Sequence, residues 1–342
     1  MIKIGKRKIG YNFKPFIICE LGINHSGSLK IAKKMVDQAF KNGAEAIKNQ
    51  SHILDKEMVP ASKRVIPANA SKSIYSVIKE NMMSFEDEIK LKKYVEKKKM
   101  IYLSTPFSLE AAVKLNKLGI QAFKIGSGEC NNLPLLEKIA DFKKPIILST
   151  GMNNLKSIER SVKILKKKRT KFILLHCKSE YPANIKGLKL DFITELKKKF
   201  PKQLIGYSDH SIGIIPSISA MAKGACVIEK HFTDSKSRKG PDIICSMDPE
   251  ELSQLVKSSK IIFNSNGKEK IISPLEKKTA KFAFSSVVST KNILKGEKFN
   301  DKNIWVKRPG LGYFKAYDFK FLVGKKAKRN ISIDQFIKKG DV

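Results

Sequence analysis

The chain of 342 residues is long enough for one large domain and a small one, and at 42% hydrophobic and 29% charged it can bury a sizeable core, which excludes wholesale disorder. No apolar run approaches the ~18 residues of a membrane span, the charged start Met1-Ile2-Lys3-Ile4-Gly5-Lys6 has no apolar stretch behind it as a secretion signal would, and five cysteines without a C-x-x-C pair read as reduced thiols of a cytoplasmic protein. The formal net charge of +36 raises the possibility of a nucleic-acid binder, but only seven of the 68 basic residues are arginine, and the densest lysine runs (97–99, 166–168, 197–199) fall at predicted helix ends, so we expect a solvated basic surface and no nucleic-acid partner.

In chain order, short β-rich runs at 16–20, 46–50, 101–105, 122–125, 145–150, 172–176, 204–207 and 226–230 alternate with helical patterns near 28–42, 86–98, 108–118, 133–141, 154–167, 188–200, 213–223 and 249–262. Eight strand–helix units in about 250 residues predict a parallel (β/α)₈ TIM barrel. The strands are nearly continuous apolar runs, as strands buried on both faces must be; a doubly wound open sheet is the competing architecture. The connection 51–83 is too long for a plain loop and is expected to cover the barrel mouth. The barrel domain is expected over 1–263, a polar linker over 264–281, and a small β-rich domain over 282–342, punctuated by Gly296, Gly310, Gly312 and Gly324.

Five histidines (His25, His52, His176, His210, His231) lie at or just beyond predicted strand ends, which in a barrel puts all five at the C-terminal mouth where such enzymes keep their chemistry. His210 and His231 follow consecutive strands and are the best metal candidates; neutral imidazoles suit Mn²⁺, Fe²⁺, Co²⁺ or Zn²⁺ and leave positions open for water or substrate. The plainer reading is a pair of hydrogen-bonding histidines. Asp209 and Glu229 beside them would ligate or orient. Lys48 and Lys124 interrupt apolar strands, which is costly unless the lysine is paired, snorkels to the rim or serves as an anion clamp. Ser104-Thr105, Gly126-Ser127-Gly128, Ser149-Thr150-Gly151 and Tyr207-Ser208-Asp209 crowd the same rim with hydroxyls and accessible backbone N–H groups, which together with two lysines suits phosphate plus carboxylate. Glu20 and Glu129 supply carboxylates for acid–base work or for neutralising a lysine. No G-x-S-x-G elbow, phosphate loop or dinucleotide fingerprint follows a strand, which argues against a serine hydrolase, an NTPase and a classical dehydrogenase.

These residues carry a resemblance. Ile18-Cys19-Glu20-Leu21-Gly22-Ile23-Asn24-His25 and Lys124-Ile125-Gly126-Ser127-Gly128-Glu129 resemble motifs of the sialic acid (N-acetylneuraminate) synthase family, continued in order by Leu148-Ser149-Thr150-Gly151, Ser208-Asp209-His210, Glu229-Lys230-His231 and Gly240-Pro241-Asp242; Trp305-Val306-Lys307-Arg308-Pro309-Gly310 resembles that family's C-terminal antifreeze-like (SAF) domain. The resemblance spans essentially the whole chain. It implies condensation of phosphoenolpyruvate with an N-acylated amino sugar and release of phosphate. By it, His210 and His231 would hold a divalent metal, Mn²⁺ first and Mg²⁺ or Co²⁺ as alternatives. Lys48, Thr105, Lys124, Ser127, Ser149, Ser179 and Ser208 would hold phosphoenolpyruvate. Glu20, Asn69, Tyr181 and Asp242 would face the sugar, Glu129 would stabilise the cationic centre at C2 or activate its water, and Arg308 would reach the N-acyl group from the SAF domain of the second subunit of a homodimer, capping the barrel. The lead expectation is N-acetylneuraminate synthase using N-acetylmannosamine. Ser179 stands where the sialic branch usually has asparagine, so Ser179-Glu180-Tyr181-Pro182 resembles the relatives that make legionaminic or pseudaminic acid from 2,4-diacetamido-2,4,6-trideoxyhexoses.

Overall fold

The computed structural model describes residues 1–267 and 269–342, which divide into two compact units, Met1–Asn266 and Gly267–Val342. The first opens with an antiparallel hairpin, β1 (Ile2–Ile4) and β2 (Arg7–Ile9), followed by eight parallel strands: β3 (Phe16–Gly22), β4 (Ala46–Ser51), β5 (Ile101–Pro106), β6 (Phe123–Ile125), β7 (Ile146–Ser149), β8 (Phe172–Cys177), β9 (Leu204–Asp209) and β10 (Val227–His231). Strand β10 pairs with both β9 and β3, so the sheet closes into a barrel and the open-sheet alternative falls.

The helices form between the strands where expected. Most carry a side-chain cap: Ser28 accepts from Ile31 N, Ser84 from Asp87 N, Ser108 from Ala111 N, and Asp248 forms a reciprocal capping box with Glu251. Between β4 and the helix Phe85–Lys97, the long connection holds short helices at Leu54–Glu57 and Ile74–Asn81.

Alternation along each strand sorts the core into two layers. Outward residues such as Ile17, Cys19, Ile47, Tyr102, Phe123, Leu148, Leu174 and Ile205 pack with helix residues Met35, Val36, Leu91, Leu115, Leu136, Ile139, Val162 and Leu196. Inward residues near the strand starts, Phe16, Ile18, Ala46, Leu103, Ile147, Ile173 and Val227, form a separate apolar cluster with Ile2, Ile4 and Ile9. The hairpin therefore closes the N-terminal end of the barrel. Its two three-residue strands are absent from the expected elements because the alternation, buried Ile2 and Ile4 about exposed Lys3, is too short to register. Towards the strand ends the inward positions turn polar: Glu20, Lys48, Gln50, Thr105, Lys124, Ser149, Ser208, Glu229 and His231.

The second unit pairs β11 (Ser286–Ser289) with β12 (Ile304–Lys307) around Val287, Ile293, Phe299, Ile304, Phe314, Leu322, Ile331 and Ile337, with isolated bridges such as Val288–Phe336 and Ile293–Ile331. Two details differ from expectation. The stretch 264–281 holds most of a capped helix, Pro274–Ala283, and the apolar run at Leu322–Val323 ends a short helix, Phe319–Leu322.

Candidate active site

The polar strand ends surround a cavity of about 710 Å³ at the C-terminal mouth of the barrel. Register sets its centre: Glu20 pairs in position with Lys48 on one side and His231 on the other, while Glu229 is level with Ser208. Lys48 Nζ lies 2.8 Å from Glu20 Oε2 and 3.5 Å from Glu229 Oε1, and donates to Thr105 Oγ1 at 3.2 Å. Lys124 Nζ lies 3.3 Å from Glu229 Oε1 and donates to the Ile125 carbonyl at 3.2 Å. Both lysines are almost wholly buried, at 4% and 2% exposure.

The two ammonium groups differ in their surroundings. Burial pulls the Lys48 pKa down, but the carboxylates of Glu20 and Glu229 outweigh it, so its proton is held more tightly than in water. Burial wins at Lys124, which is lowered although Glu229 opposes the shift. The carboxylates mirror this. Burial raises Glu20, which Lys48 only partly counters; at Glu229 the burial penalty is outweighed by Lys124 and Lys48 together, so its carboxyl is lowered.

Several polar atoms here are buried without a hydrogen bond: Glu20 Oε2, Glu229 Oε2, Ser149 Oγ and His231 Nδ1. Glu20 Oε2 has Lys48 as a charge partner yet receives no well-aligned hydrogen bond. An orphaned buried polar atom costs about 1–3 kcal/mol, and a group of them facing one cavity marks where a polar ligand completes the set. Gly151 completes the hydroxyl rim: its N–H donates to Ser127 Oγ at 2.9 Å, and a Cβ there would stand 2.2 Å from Ser179 Oγ.

The His210 and His231 rings are 5.5 Å apart, with Tyr181 4.2 Å from the His210 ring. His210 Nδ1 donates to the Lys178 carbonyl at 2.8 Å, which leaves Nε2 as the free lone pair. His231 Nδ1 lies 3.8 Å from Asp242 Oδ2. Burial and the neighbouring His210 push His231 far below the usual imidazole range. At His210 burial is outweighed by the Cys177 thiol, which raises the imidazole; the reciprocal effect of His210 overcomes burial at Cys177 and lowers the thiol to about 7. Burial raises Asp242 to about 6. Among the described residues no three metal-ligating side chains stand together. The donors fit an ion held by two imidazoles, with the remaining positions open.

Of the residues singled out in the sequence, Glu20, Lys48, Asn69, Thr105, Lys124, Ser127, Ser149, Ser179, Tyr181, Ser208, His210, His231 and Asp242 line this one cavity. Glu129 does not. It lines a neighbouring cavity of about 590 Å³, where its Oε2 accepts from Asn132 Nδ2 at 2.9 Å. Arg308 belongs to the second unit, just after β12. Only two of the five histidines reach the cavity. His25 bonds Asn49, His52 bonds Gln50 and Glu57, and His176 faces outward against Phe192 and Tyr207. Sequence reasoning placed Glu229 only beside the metal histidines, as a ligand or an orienting group, and not between the two lysines, and it passed over Gln50, which donates to Glu20 Oε1 at 2.9 Å. The signal was present for Glu229: a charge inside an apolar strand carries the same cost that drew attention to the two lysines.

A closed (β/α)₈ barrel with buried ammonium groups, hydroxyls and imidazoles at its C-terminal mouth defines an enzyme built around an anionic substrate. The chain belongs to the NeuB family, which it matches over residues 35–271; residues 284–342 match the SAF domain. It is 40% identical over 341 residues to an N,N'-diacetyllegionaminic acid synthase of Campylobacter jejuni, covering 95% of this chain and 99% of that protein. It is 39% identical over 338 residues to an uncharacterised protein of Methanocaldococcus jannaschii, with 98% and 97% covered. A solved structure of N-acetylneuraminic acid (sialic acid) synthetase from Leptospira borgpetersenii, in complex with citrate, matches at TM-score 0.73 and 36% identity, with 81% of this chain and 94% of that one covered.

Proposed function

We propose that the enzyme joins C3 of phosphoenolpyruvate to the aldehyde carbon of an N-acylated amino sugar, adds water at C2 and releases phosphate, giving a nine-carbon 2-keto sugar acid. The observation that carries this reading is the pair of buried ammonium groups, Lys48 and Lys124, on either side of Glu229 Oε1 and near the unpaired Ser149 hydroxyl. A phosphate ester of roughly two negative charges, with a carboxylate beside it, needs cations and fixed donors in a water-poor cavity. Lys48, Lys124, Thr105, Ser127, Ser149, Ser179 and Ser208 are its proposed holders. Two lysines against two glutamates leave little net positive charge.

His210 and His231 would hold a divalent ion, which when bound would supply the missing positive charge and Lewis acidity towards the sugar aldehyde. The chain's own groups do the rest. Glu20 and Asp242 accept sugar hydroxyls, and Asn69 and Tyr181 border the same space. Glu129 is the proposed carboxylate for the C2 step; its neighbours Ser127 and Gly128 line the cavity, so its side chain takes that role by leaving Asn132. Arg308 of a second subunit is the proposed contact to the N-acyl group, which mixing Arg308→Ala and His210→Ala subunits tests by restored activity.

Two acceptors are compatible with this chemistry. N-acetylmannosamine, giving N-acetylneuraminate, is supported by the run Asp242-Ile243-Ile244-Cys245-Ser246-Met247, which resembles the sialic branch of the family, and by the Leptospira relative. A 2,4-diacetamido-2,4,6-trideoxyhexose is favoured by a specific observation: the cavity wall opposite the strands is apolar, built from Ile23, Pro67, Ala68, Ala70, Ile74, Val77 and Ile78. Such a wall suits a C6 methyl better than a C6 hydroxyl, and Ser179 and the Campylobacter relative agree with it. Phosphate release and product mass across N-acetylmannosamine, its 6-phosphate and the two trideoxy epimers decide between them. Phosphate release without any sugar, or none with all of them, would falsify the condensation.

A further inference from the structure

Gln50 is an inward residue of β4 whose side-chain amide bridges two groups. Its Nε2 donates to Glu20 Oε1 at 2.9 Å, and its Oε1 is 3.1 Å from His52 Nε2. The polarity of this bridge is fixed. A carboxylate only accepts, so the amide turns its N–H₂ to Glu20 and its oxygen to His52, and His52 Nε2 must carry the proton it gives. The other ring nitrogen, Nδ1, closes on Glu57 Oε1 at 2.9 Å, and both side chains of that pair are only 3% exposed. The ring is further clamped face to face with Phe107, at 4.4 Å between centroids and 7° between planes. Glu57 is itself held: its other oxygen accepts from Ile53 N at 3.3 Å at the end of the short helix Leu54–Glu57. One continuous chain therefore runs Glu57, His52, Gln50, Glu20, Lys48.

We propose that His52 is a positioning residue for the sugar half of the reaction: anchored by Glu57 and Phe107, it locks the Gln50 amide, which aims Glu20 into the cavity. The proposal rests on the condensation proposed above. A loose Gln50 amide is free to rotate and present its oxygen to Glu20, and a carboxylate displaced by an ångström loses most of its value as an acceptor. His52 touches neither cavity-facing lysine and lines no part of the cavity; it meets cavity-lining residues at Gln50 and at the ring of Phe107, and of these only Gln50 bonds Glu20, so its effect on the sugar half passes through Gln50.

The test is a steady-state comparison of His52→Ala, His52→Gln, Glu57→Gln and Gln50→Ala, with the His52→Ala/Gln50→Ala double variant. In His52→Ala the KM for the amino sugar rises on the order of 10- to 100-fold while the KM for phosphoenolpyruvate stays put. His52→Gln, whose amide N–H reaches the Gln50 oxygen, recovers most of the loss. In the Gln50→Ala background, His52→Ala adds nothing, because the link it acts through is gone. Equal rises in both KM values, or a full additional loss in the double variant, would overturn the proposal. If His52→Ala does not fold, His52→Gln and Glu57→Gln carry the same comparison, with a sugar-only KM rise in Glu57→Gln expected. Wild-type inactivity with every sugar removes the condensation and this role with it, whereas an active wild type with an unaffected His52→Ala removes this role alone.

Discussion

Lys230 Nζ lies 3.2 Å from Asp209 Oδ2, and both side chains are completely buried on the outer faces of neighbouring barrel strands. Each residue directly precedes one of the two cavity histidines. Lys230 also donates to the Ser211 carbonyl at 2.6 Å, and Asp209 accepts from Ser211 N and from the hydroxyls of Ser211 and Ser217. The pair thus ties together the strand ends and the loop that carry His210 and His231. Removing one partner leaves an uncompensated buried charge, so Lys230→Met is expected to lower stability by about 3–5 kcal/mol. Urea unfolding measures it, and a loss below about 1 kcal/mol, the scale of a surface ion pair, would show that the pair is dispensable.

The two cavity lysines should separate from each other. Lys124→Met removes one of two cations from the proposed anion site and is expected to cost on the order of 10²–10³ in kcat/KM for phosphoenolpyruvate. Lys48→Met should lose in addition for the sugar, because Glu20 loses its partner. Identical losses for both substrates in the two variants would contradict the division of the cavity into an anion half and a sugar half.

Metal dependence is checked by chelation and by the histidines. Dialysis against a chelator is expected to abolish phosphate release and Mn²⁺ to restore it. His210→Ala and His231→Ala should each lose bound Mn²⁺ by elemental analysis. Full activity in the double variant is incompatible with the assignment.

Stability should respond to pH through His25. Its Nδ1 accepts from Gly27 N at 3.1 Å and its Nε2 faces Asn49 Oδ1 at 3.1 Å, an arrangement that suits the neutral ring. Burial pushes its pKa down to about 4. The unfolded chain takes up the proton near 6.5 while the folded one does not. The contribution is therefore complete above about pH 6.5 and is lost progressively as pH falls towards 4. Between pH 7.5 and 5.0 the wild type is expected to lose about 2 kcal/mol more than His25→Gln by urea unfolding. Equal losses would mean that His25 titrates alike in both states.

Much of this protein was legible without coordinates. Eight apolar runs separated by amphipathic stretches of helical length point to a parallel sheet covered by helices on both faces, and eight units in about 250 residues match the barrel; closure of β10 on β3 then excluded the doubly wound open sheet. Lys48 and Lys124 announced themselves because a charge in an apolar strand needs a partner or a task. The ordered motifs added the family. The hairpin Ile2–Ile9 stayed hidden, since its apolar residues matter only once they meet Phe16, Ile18 and Ala46 at the closed end of the barrel.

Which polar residues share the cavity was decided by tertiary structure. A strand sends successive side chains to opposite faces, so the choice between Asp209 and Glu229, or between His176 and His210, depends on how each strand is turned in the closed sheet. Glu229 became the centre of the site because β10 closes the barrel against β3 and carries it between two lysines from β4 and β6. His52 is linked to Glu20 only through the side chain of Gln50, and Glu129 turned to Asn132. Composition and periodicity report what a residue costs to bury; they do not report the register and rotamers that choose its neighbours.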